Sequence, residues 1–362
     1  MKQMTIENLG WDAFFESHCM QLGLDPVHVA RVTTVQRGVY RVKNTNGEYL
    51  AKVMGKHMFK SASKEDYPAV GDWVVISLLE GNKAVIESIV PRKTVMKRKQ
   101  SGSDETQIIA TNIDVALVIE SVDRDYSLNR LERYFSLASD GGIQSAIVLN
   151  KVDLISKEAL ATRVAHIQDR FKDIDIILTS TLTDEGLDEL KSFITKGKTY
   201  CFLGSSGVGK SSLINKLLGT NDIKIGAIGE HSGRGKHVTT AREMYFLQSG
   251  GIVIDNPGVR EVGITDVSAG VESLFEVIAV LAKQCQFADC SHTQEPDCAV
   301  VSSVQSGELN AEQYSNYIAL KKEATHYGRT KFEKKEKDRQ FGKFLKKAKK
   351  ELRKYSHKDY GE

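Results

Sequence analysis

The sequence predicts a multidomain fold, with a small five-stranded β-barrel, then an α/β domain with a mainly parallel sheet, then a C-terminal helical module. Three observations predict it. Residues 30–91 read as short strands rich in Val and Tyr, separated by Gly, Asn or Lys. From Ile113 onward apolar strands alternate with helical stretches, the pattern of a parallel sheet covered on both faces. From about residue 271 the chain turns helical and carries three cysteines within fourteen residues. A length of 362 residues also exceeds what one ordinary core encloses.

Taken in order, residues 1–28 form a modest N-terminal extension with an apolar cluster at Trp11, Phe14 and Phe15. The barrel occupies 29–100, with strands expected at 30–36, 38–44, 47–53, 71–78 and 83–90. Asn46-Gly47 is a strong hairpin signal. Five short strands in this length suggest an OB-type barrel, with an SH3-like barrel as the other option. Residues 92–112 are basic and polar, include Ser101-Gly102-Ser103, and read as a linker. The α/β domain spans 101–270. Its strands are expected at 113–120, 144–149, 174–179, 199–203, 242–248 and 251–255, and its helices at 129–139, 157–171, 186–195 and 210–218. A third module at 271–330, helical over 308–326, and a basic tail at 331–362 complete the chain.

Composition narrows the class. Hydrophobic content of 41% and charged content of 27% fit a soluble globular protein. No stretch approaches the ~20 apolar residues of a membrane helix. The N-terminus lacks a basic region followed by an apolar one, so a cytoplasmic location is expected. Cys19 and Cys201 stand alone and read as buried thiols, whereas Cys285, Cys290 and Cys298 cluster. Such clustering favours a metal over disulfides. Net charge is only +3, yet residues 321–354 hold 15 Lys/Arg against 5 Asp/Glu. A basic block of this kind contacts polyanions or is a solvated helix.

Two motifs carry the chemistry. Gly204-Ser205-Ser206-Gly207-Val208-Gly209-Lys210-Ser211 matches the G-x-x-x-x-G-K-[ST] phosphate loop, between the apolar strand Tyr200-Cys201-Phe202-Leu203 and a helix beginning at Ser212. Backbone N–H groups of such a loop close around phosphate oxygens. Lys210 is then placed to reach the β- and γ-phosphates, and Ser211 to ligate Mg²⁺. Asn150-Lys151-Val152-Asp153 ends the strand Ala146-Ile147-Val148-Leu149 and reads as N-K-x-D. A carboxylate at Asp153 accepts from both N1–H and the exocyclic amine of guanine, a donor pair that adenine lacks. Lys151 covers the base with its stem, and Thr179-Ser180-Thr181 supplies the loop at guanine O6, with Ser180 and Thr181 as contacts.

The order is unusual. The base motifs precede the phosphate loop, and Thr239-Thr240 and Asp255-Asn256-Pro257-Gly258, a D-x-x-G segment, follow it. This is the order of a circularly permuted GTPase domain. Mg²⁺ is expected on Ser211, on Thr240 or Thr239, and on Asp255 through water. Where a Ras-type enzyme has a water-orienting Gln after D-x-x-G, this chain has Val259. His237 is the candidate to orient water, the bland reading being an exposed loop residue. Lys210, Thr240 and His237 are the candidate catalytic groups, and Gly258 completes the γ-phosphate side.

The permuted order, Gly235-Lys236-His237-Val238-Thr239-Thr240, the barrel segment Val70-Gly71-Asp72-Trp73-Val74 and the cysteine cluster together resemble the bacterial RsgA/YjeQ family of small-subunit-dependent ribosomal GTPases. The resemblance covers roughly 30–330 and is strongest over 113–300. It implies an OB barrel, a permuted GTPase domain, a zinc module and contact with 16S rRNA of the 30S subunit late in its assembly. It also implies a histidine at position 237, and Cys285, Cys290, His292 and Cys298 as zinc ligands. Three thiolates and an imidazole suit a closed, tetrahedral, structural Zn²⁺. The family usually has threonine where Val238 sits and Ser or Thr where Asn256 sits, departures that bear on switch geometry. Phe332, Phe341, Phe344 and Tyr355 are interleaved with lysines, a pattern suited to RNA phosphates and unpaired bases, or to an amphipathic helix packed on the protein. GTP and GDP, the 30S subunit and its 16S rRNA are the expected partners of a monomer.

Overall fold

The computed structural model describes residues 4–36, 38–54, 64–99, 106–123, 126–220, 242–256, 270–271 and 274–328. His237, Thr239, Thr240, Gly258, Val259 and the tail 331–362 lie outside these residues, as do Ser101-Gly102-Ser103.

The barrel contains β1 (Val29–Gln36), β2 (Val39–Asn44), β3 (Gly47–Val53), β4 (Trp73–Leu79) and β5 (Lys83–Ile89). Alternating side chains point Ala30, Val32, Tyr40, Val42, Ala51, Val74, Ile76, Ala84 and Ile86 into one core. At the expected hairpin, Asn44 Oδ1 accepts from the backbone N–H of Asn46 and Gly47 at 2.8 and 3.1 Å. The sheet runs β1-β2-β3-β5-β4 and closes because β1 also pairs with β4. Closure, with β3 and β5 parallel, is the OB-type arrangement. The N-terminal extension caps this barrel. Helix α1 (Ala13–Leu22), started by Asp12 accepting from Phe14 N–H, buries Phe15 and Cys19 with Leu9 and Trp11 against Trp73.

One buried cation ties these parts together. Arg31 is fully buried and donates to the carbonyls of Leu9 (2.6 Å), Asn112 (3.0 Å) and Gly71 (3.3 Å). Burial lowers its pKa to about 10, opposed by Asp114, Asp72 and Asp12. Arg31→Met leaves the buried carbonyls of Leu9 and Asn112 without donors, while Gly71 O keeps Asn112 Nδ2, and stability is expected to fall by about 3 kcal/mol. A urea midpoint followed by tryptophan fluorescence measures this, and an unchanged midpoint refutes it.

Residues 92–112, read as a linker, are instead a hairpin of β6 (Val95–Lys99) and β7 (Thr106–Thr111). Its face toward the next domain is Met96, Ile109 and Ala110, which pack into that domain's core. Of the basic residues that suggested a linker, Arg92, Lys97 and Arg98 are half-buried and Lys93 is exposed.

The α/β domain contains β8 (Val115–Ser121), β9 (Gln144–Asn150), β10 (Ile176–Thr179), β11 (Thr199–Leu203), β12 (Glu243–Phe246) and β13 (Ile252–Asp255). Its order is β10-β9-β8-β11-β13-β12, parallel except for β12. Helices α2 (Leu128–Asp140) and α3 (Lys157–Arg170) bury Leu131, Phe135 and Ile167 on one face of the sheet. Helices α4 (Leu187–Phe193) and α5 (Lys210–Leu218) bury Leu190, Leu213 and Ile214 on the other. Strand β12 also pairs with β1 at Glu243 and Thr34, so the domain sheet and the barrel are continuous.

The C-terminal module has α6 (Glu276–Ala282), α7 (Ala299–Ser306) and α8 (Ala311–Gly328) around Phe275, Ile278, Val300, Leu309 and Leu320. Two links dock it on α2. Arg133 holds Glu323 bidentately at 3.1 and 2.6 Å. Asn316 donates to Glu132, whose carboxylate Arg170 also holds at 2.7 and 2.9 Å. No described helix is long and apolar enough to cross a membrane.

Candidate functional site

Because β8, β9, β10, β11 and β13 are parallel, their C-terminal ends share one edge of the sheet, where ligands of such folds bind. The phosphate loop leaves β11, Asn150-Lys151-Val152-Asp153 leaves β9, Ser180-Thr181 leaves β10, and Asp255 ends β13. Motifs more than fifty residues apart thus meet.

Asn150 makes the junction. Its side chain is buried, Nδ2 donates to Val208 O at 2.8 Å, and Oδ1 accepts from Thr179 Oγ1 at 3.0 Å. The loop presses so closely here that a Cβ on Gly209, at φ +103°, would lie 2.3 Å from Asn150 Nδ2. Gly204, at φ +140°, meets Ile119 O at the same distance, so neither position accepts a side chain. Val208 is anchored in the core, while Ser206 and Gly207 are exposed and Ser205, Ser211 and Ser212 half-buried.

Lys210 begins α5 and is 7% exposed. Its Nζ donates to Gly204 O at 2.6 Å and Ser205 O at 2.7 Å. Burial lowers its pKa to about 8, with Asp255 opposing the shift. Among the described residues only neutral carbonyls hold this desolvated cation directly, so anionic phosphate oxygens would stabilise its charged form. Ser211 Oγ lies 3.5 Å from Asp255 Oδ2. Burial raises the Asp255 pKa, and its Oδ1 is buried without a hydrogen-bond partner among the described residues. An orphaned carboxylate oxygen beside a serine hydroxyl fits a hydrated divalent cation.

On the base side, Asp153 is exposed and Ser180 Oγ donates to its Oδ1 at 2.5 Å. Ser180 Oγ in turn accepts from Leu182 and Thr183 N–H, which fixes the loop that contains Thr181. Lys151 takes a left-handed conformation, φ +63°, and its Nζ pairs with Asp123 at 2.8 Å. That ion pair fixes the end of the Lys151 side chain.

Three neighbours escaped the sequence reading. Asp123 clamps Lys151, and Tyr134 of α2 hydrogen-bonds Ser205. Arg242 donates Nε to Asn256 Oδ1 at 3.2 Å and Nη1 to Ile108 O at 3.0 Å. Asn256 stands where Ser or Thr was expected, and its Nδ2 is buried without a partner among the described residues. None of the three sits in a recognisable motif. The nearest signal is that Asp123 follows the end of β8 by two residues.

The second site is the cysteine cluster. The ligand atoms of Cys285, Cys290, His292 and Cys298 lie within 4.8 Å of one another. Cys285 Sγ is 3.5 Å from His292 Nδ1 and 3.8 Å from Cys298 Sγ, and Cys298 Sγ is 3.6 Å from His292 Nδ1. A tetrahedral ion with ~2.3 Å metal–sulfur bonds sets its ligand atoms about 3.6–3.8 Å apart, so the four residues fit one metal ion. Glu295 accepts from Ser291, Thr293 and Gln294 N–H, which braces the ligand loop, and its hydrogen bonds with the Ser291 side chain and backbone hold its pKa far below the usual carboxylate range. Tyr314 of α8 donates to His292 O at 2.7 Å.

Residues 89–265 match the RsgA GTPase family. Small ribosomal subunit biogenesis GTPase RsgA 2 of Lactiplantibacillus plantarum is 41% identical over 300 residues, covering 83% of this chain and 84% of that protein. The chain belongs to the RsgA GTPase family. Small ribosomal subunit biogenesis GTPase RsgA 1 of Bacteroides thetaiotaomicron is 34% identical over 345 residues, 94% of this chain and 96% of its own. Among solved structures, YjeQ from Thermotoga maritima is 27% identical with a TM-score of 0.60, covering 84% of this chain and 99% of its own. YloQ, described as a circularly permuted GTPase, is 25% identical with a TM-score of 0.56, covering 83% and 96%. This RsgA-family protein is therefore a GTP hydrolase whose motif order is permuted, as the sequence predicted.

Proposed function

We propose that the protein binds the 30S ribosomal subunit through 16S rRNA, hydrolyses GTP there and assists late maturation of the particle, as a cytoplasmic monomer. The names of its relatives support small-subunit biogenesis. The observation that carries the nucleotide reading is Asn150, which joins the base-selecting loop to the carbonyl of Val208 in the phosphate loop. Guanine then lies on Asp153, with the Lys151 stem along its face and Ser180-Thr181 at O6. Phosphates lie among the N–H groups of the loop from Gly204 to Ser212, against Lys210. Ser211 and Asp255, joined by Thr240 or Thr239, would hold Mg²⁺, which would supply positive charge against the phosphates. Gly258 approaches the γ-phosphate. His237, in place of the absent Gln, orients the attacking water. Cys285, Cys290, His292 and Cys298 hold one structural Zn²⁺ with no open position. The basic tail neutralises rRNA phosphates.

Titrating 30S subunits into the full chain is expected to raise GTP turnover at least about tenfold. Lys210→Ala is expected to lower it by about 10² or more by removing the phosphate cation. Val259 favours a second reading, a nucleotide-dependent RNA switch with little hydrolysis. GTP-dependent co-sedimentation with 30S particles, without stimulated turnover, would select it.

A further inference from the structure

A second cleft, of about 460 Å³, opens between the barrel and the β6–β7 hairpin. Among the described residues its lining includes Tyr40, Tyr67, Arg98, Gln107, Ile108 and Arg242, and no carboxylate. The charged groups facing it are both guanidinium ions. Arg98 reaches only the neutral Gln107 Oε1, at 3.4 and 3.2 Å. Arg242 reaches only neutral oxygens of Asn256 and Ile108. No carboxylate among the described residues pairs with either. Burial lowers the Arg242 pKa to about 10, and the neighbouring Arg98 charge adds to the shift. A desolvated guanidinium beside a like charge, with no counterion among the described residues, costs free energy that an anion would recover. The rest of the wall is apolar or aromatic, with Tyr67 45% exposed at the rim.

We propose that this cleft binds a nucleotide, distinct from the guanine nucleotide of the phosphate loop, with its phosphate on Arg98 and Arg242 and its base against Tyr67. Planar guanidinium forks match phosphate oxygens, and aromatic faces accept any base by stacking. The volume suits a mononucleotide-sized group. The ligand is a free nucleoside monophosphate or one nucleotide of a single-stranded RNA. Arg242 also holds Asn256, the residue after Asp255, so this ligand sits one hydrogen bond from the segment that carries the magnesium-side carboxylate.

The test uses the full chain preloaded with GDP, so that the phosphate loop is filled. Binding of adenosine 5′-monophosphate and of hexa-adenylate RNA is measured by titration calorimetry. Binding of the monophosphate assigns a free nucleotide, and binding of the hexamer alone assigns an RNA nucleotide. In either case Arg98→Gln and Tyr67→Ala are expected to weaken binding at least tenfold while GDP affinity is unchanged. On the wild-type protein, adenosine without phosphate is expected to bind at least tenfold more weakly than its monophosphate if the latter binds. The proposal is overturned if neither probe binds below about 1 mM. It is equally overturned if both variants bind like wild type, or if adenosine competes as well as a monophosphate that binds. GDP binding reports the phosphate loop separately, so its failure is distinguishable from failure of this cleft.

Discussion

Removing the metal from Cys285, Cys290, His292 and Cys298 is expected to unfold the C-terminal module while leaving the nucleotide site intact. The module is small. Its core is Phe275, Ile278, Val300, Leu309, Tyr317, Leu320 and few others, and two of the residues packed among them are the proposed ligands Cys290 and Cys298. A core of that size does not hold a chain segment unaided. Structural zinc contributes on the order of 10–16 kcal/mol of apparent binding energy at neutral pH, which in such modules is folding energy. Without the ion, two buried thiols and an imidazole face one another with no common partner, and the loop braced by Glu295 loses its centre. Hydrogen exchange with and without a strong chelator is the measurement. Amides of residues 276–324 should lose most of their protection. Those of β8, β9 and β11 should keep theirs, because the sheet has its own two-sided core. Cys298→Ala should reproduce the effect and reduce zinc content from one ion per chain toward none. Unchanged protection after verified metal removal would refute the prediction. The links Arg133–Glu323 and Asn316–Glu132 make the outcome informative, since losing them exposes the buried Glu132 face of α2.

What the sequence made legible follows from how locally each feature is encoded. The barrel strands and the six strands of the α/β sheet were legible because period-two alternation or a continuous apolar run is a property of neighbouring residues. The phosphate loop was legible because Gly204 and Gly209 must be glycine: each faces an atom 2.3 Å from where a Cβ would stand. The β6–β7 hairpin was not. Within Val95–Lys99 only Val95 and Met96 are apolar, and Lys97, Arg98 and Lys99 present a basic stretch that reads as a linker. Its strand character comes from pairing with β7, which tertiary contact supplies. Arg31 was equally illegible. A lone arginine in a strand gives no sign that its three partners come from Leu9, Gly71 and Asn112. Asp123 and Arg242 belong to the same class, since each acts on a motif residue from a part of the chain that only the fold brings near.

Asp153→Asn is expected to change which base the site accepts. The native carboxylate offers only acceptors, and Ser180 occupies one lone pair of Oδ1 from 2.5 Å, which fixes the plane of the group. Guanine presents two donors to it, N1–H and the exocyclic amine. An asparagine keeps one acceptor for Ser180 and N1–H but turns an N–H₂ group toward the exocyclic amine, so two donors oppose each other. A lost charge-assisted hydrogen bond together with an unpaired donor is expected to cost on the order of 10³–10⁴-fold in GTP affinity. Xanthine carries a carbonyl where guanine carries that amine, so the asparagine N–H₂ regains an acceptor and xanthosine triphosphate should become the preferred substrate. The backbone should be undisturbed, because Asp153 is exposed and the junction between the two loops runs through Asn150 instead. The measurement is a pair of titrations, GDP and xanthosine diphosphate, on wild type and variant. Parallel loss of both ligands would mean that the substitution damaged the loop. Unchanged GDP affinity would mean that Asp153 does not face the base, and the convergence of the two motifs on one nucleotide would then be wrong.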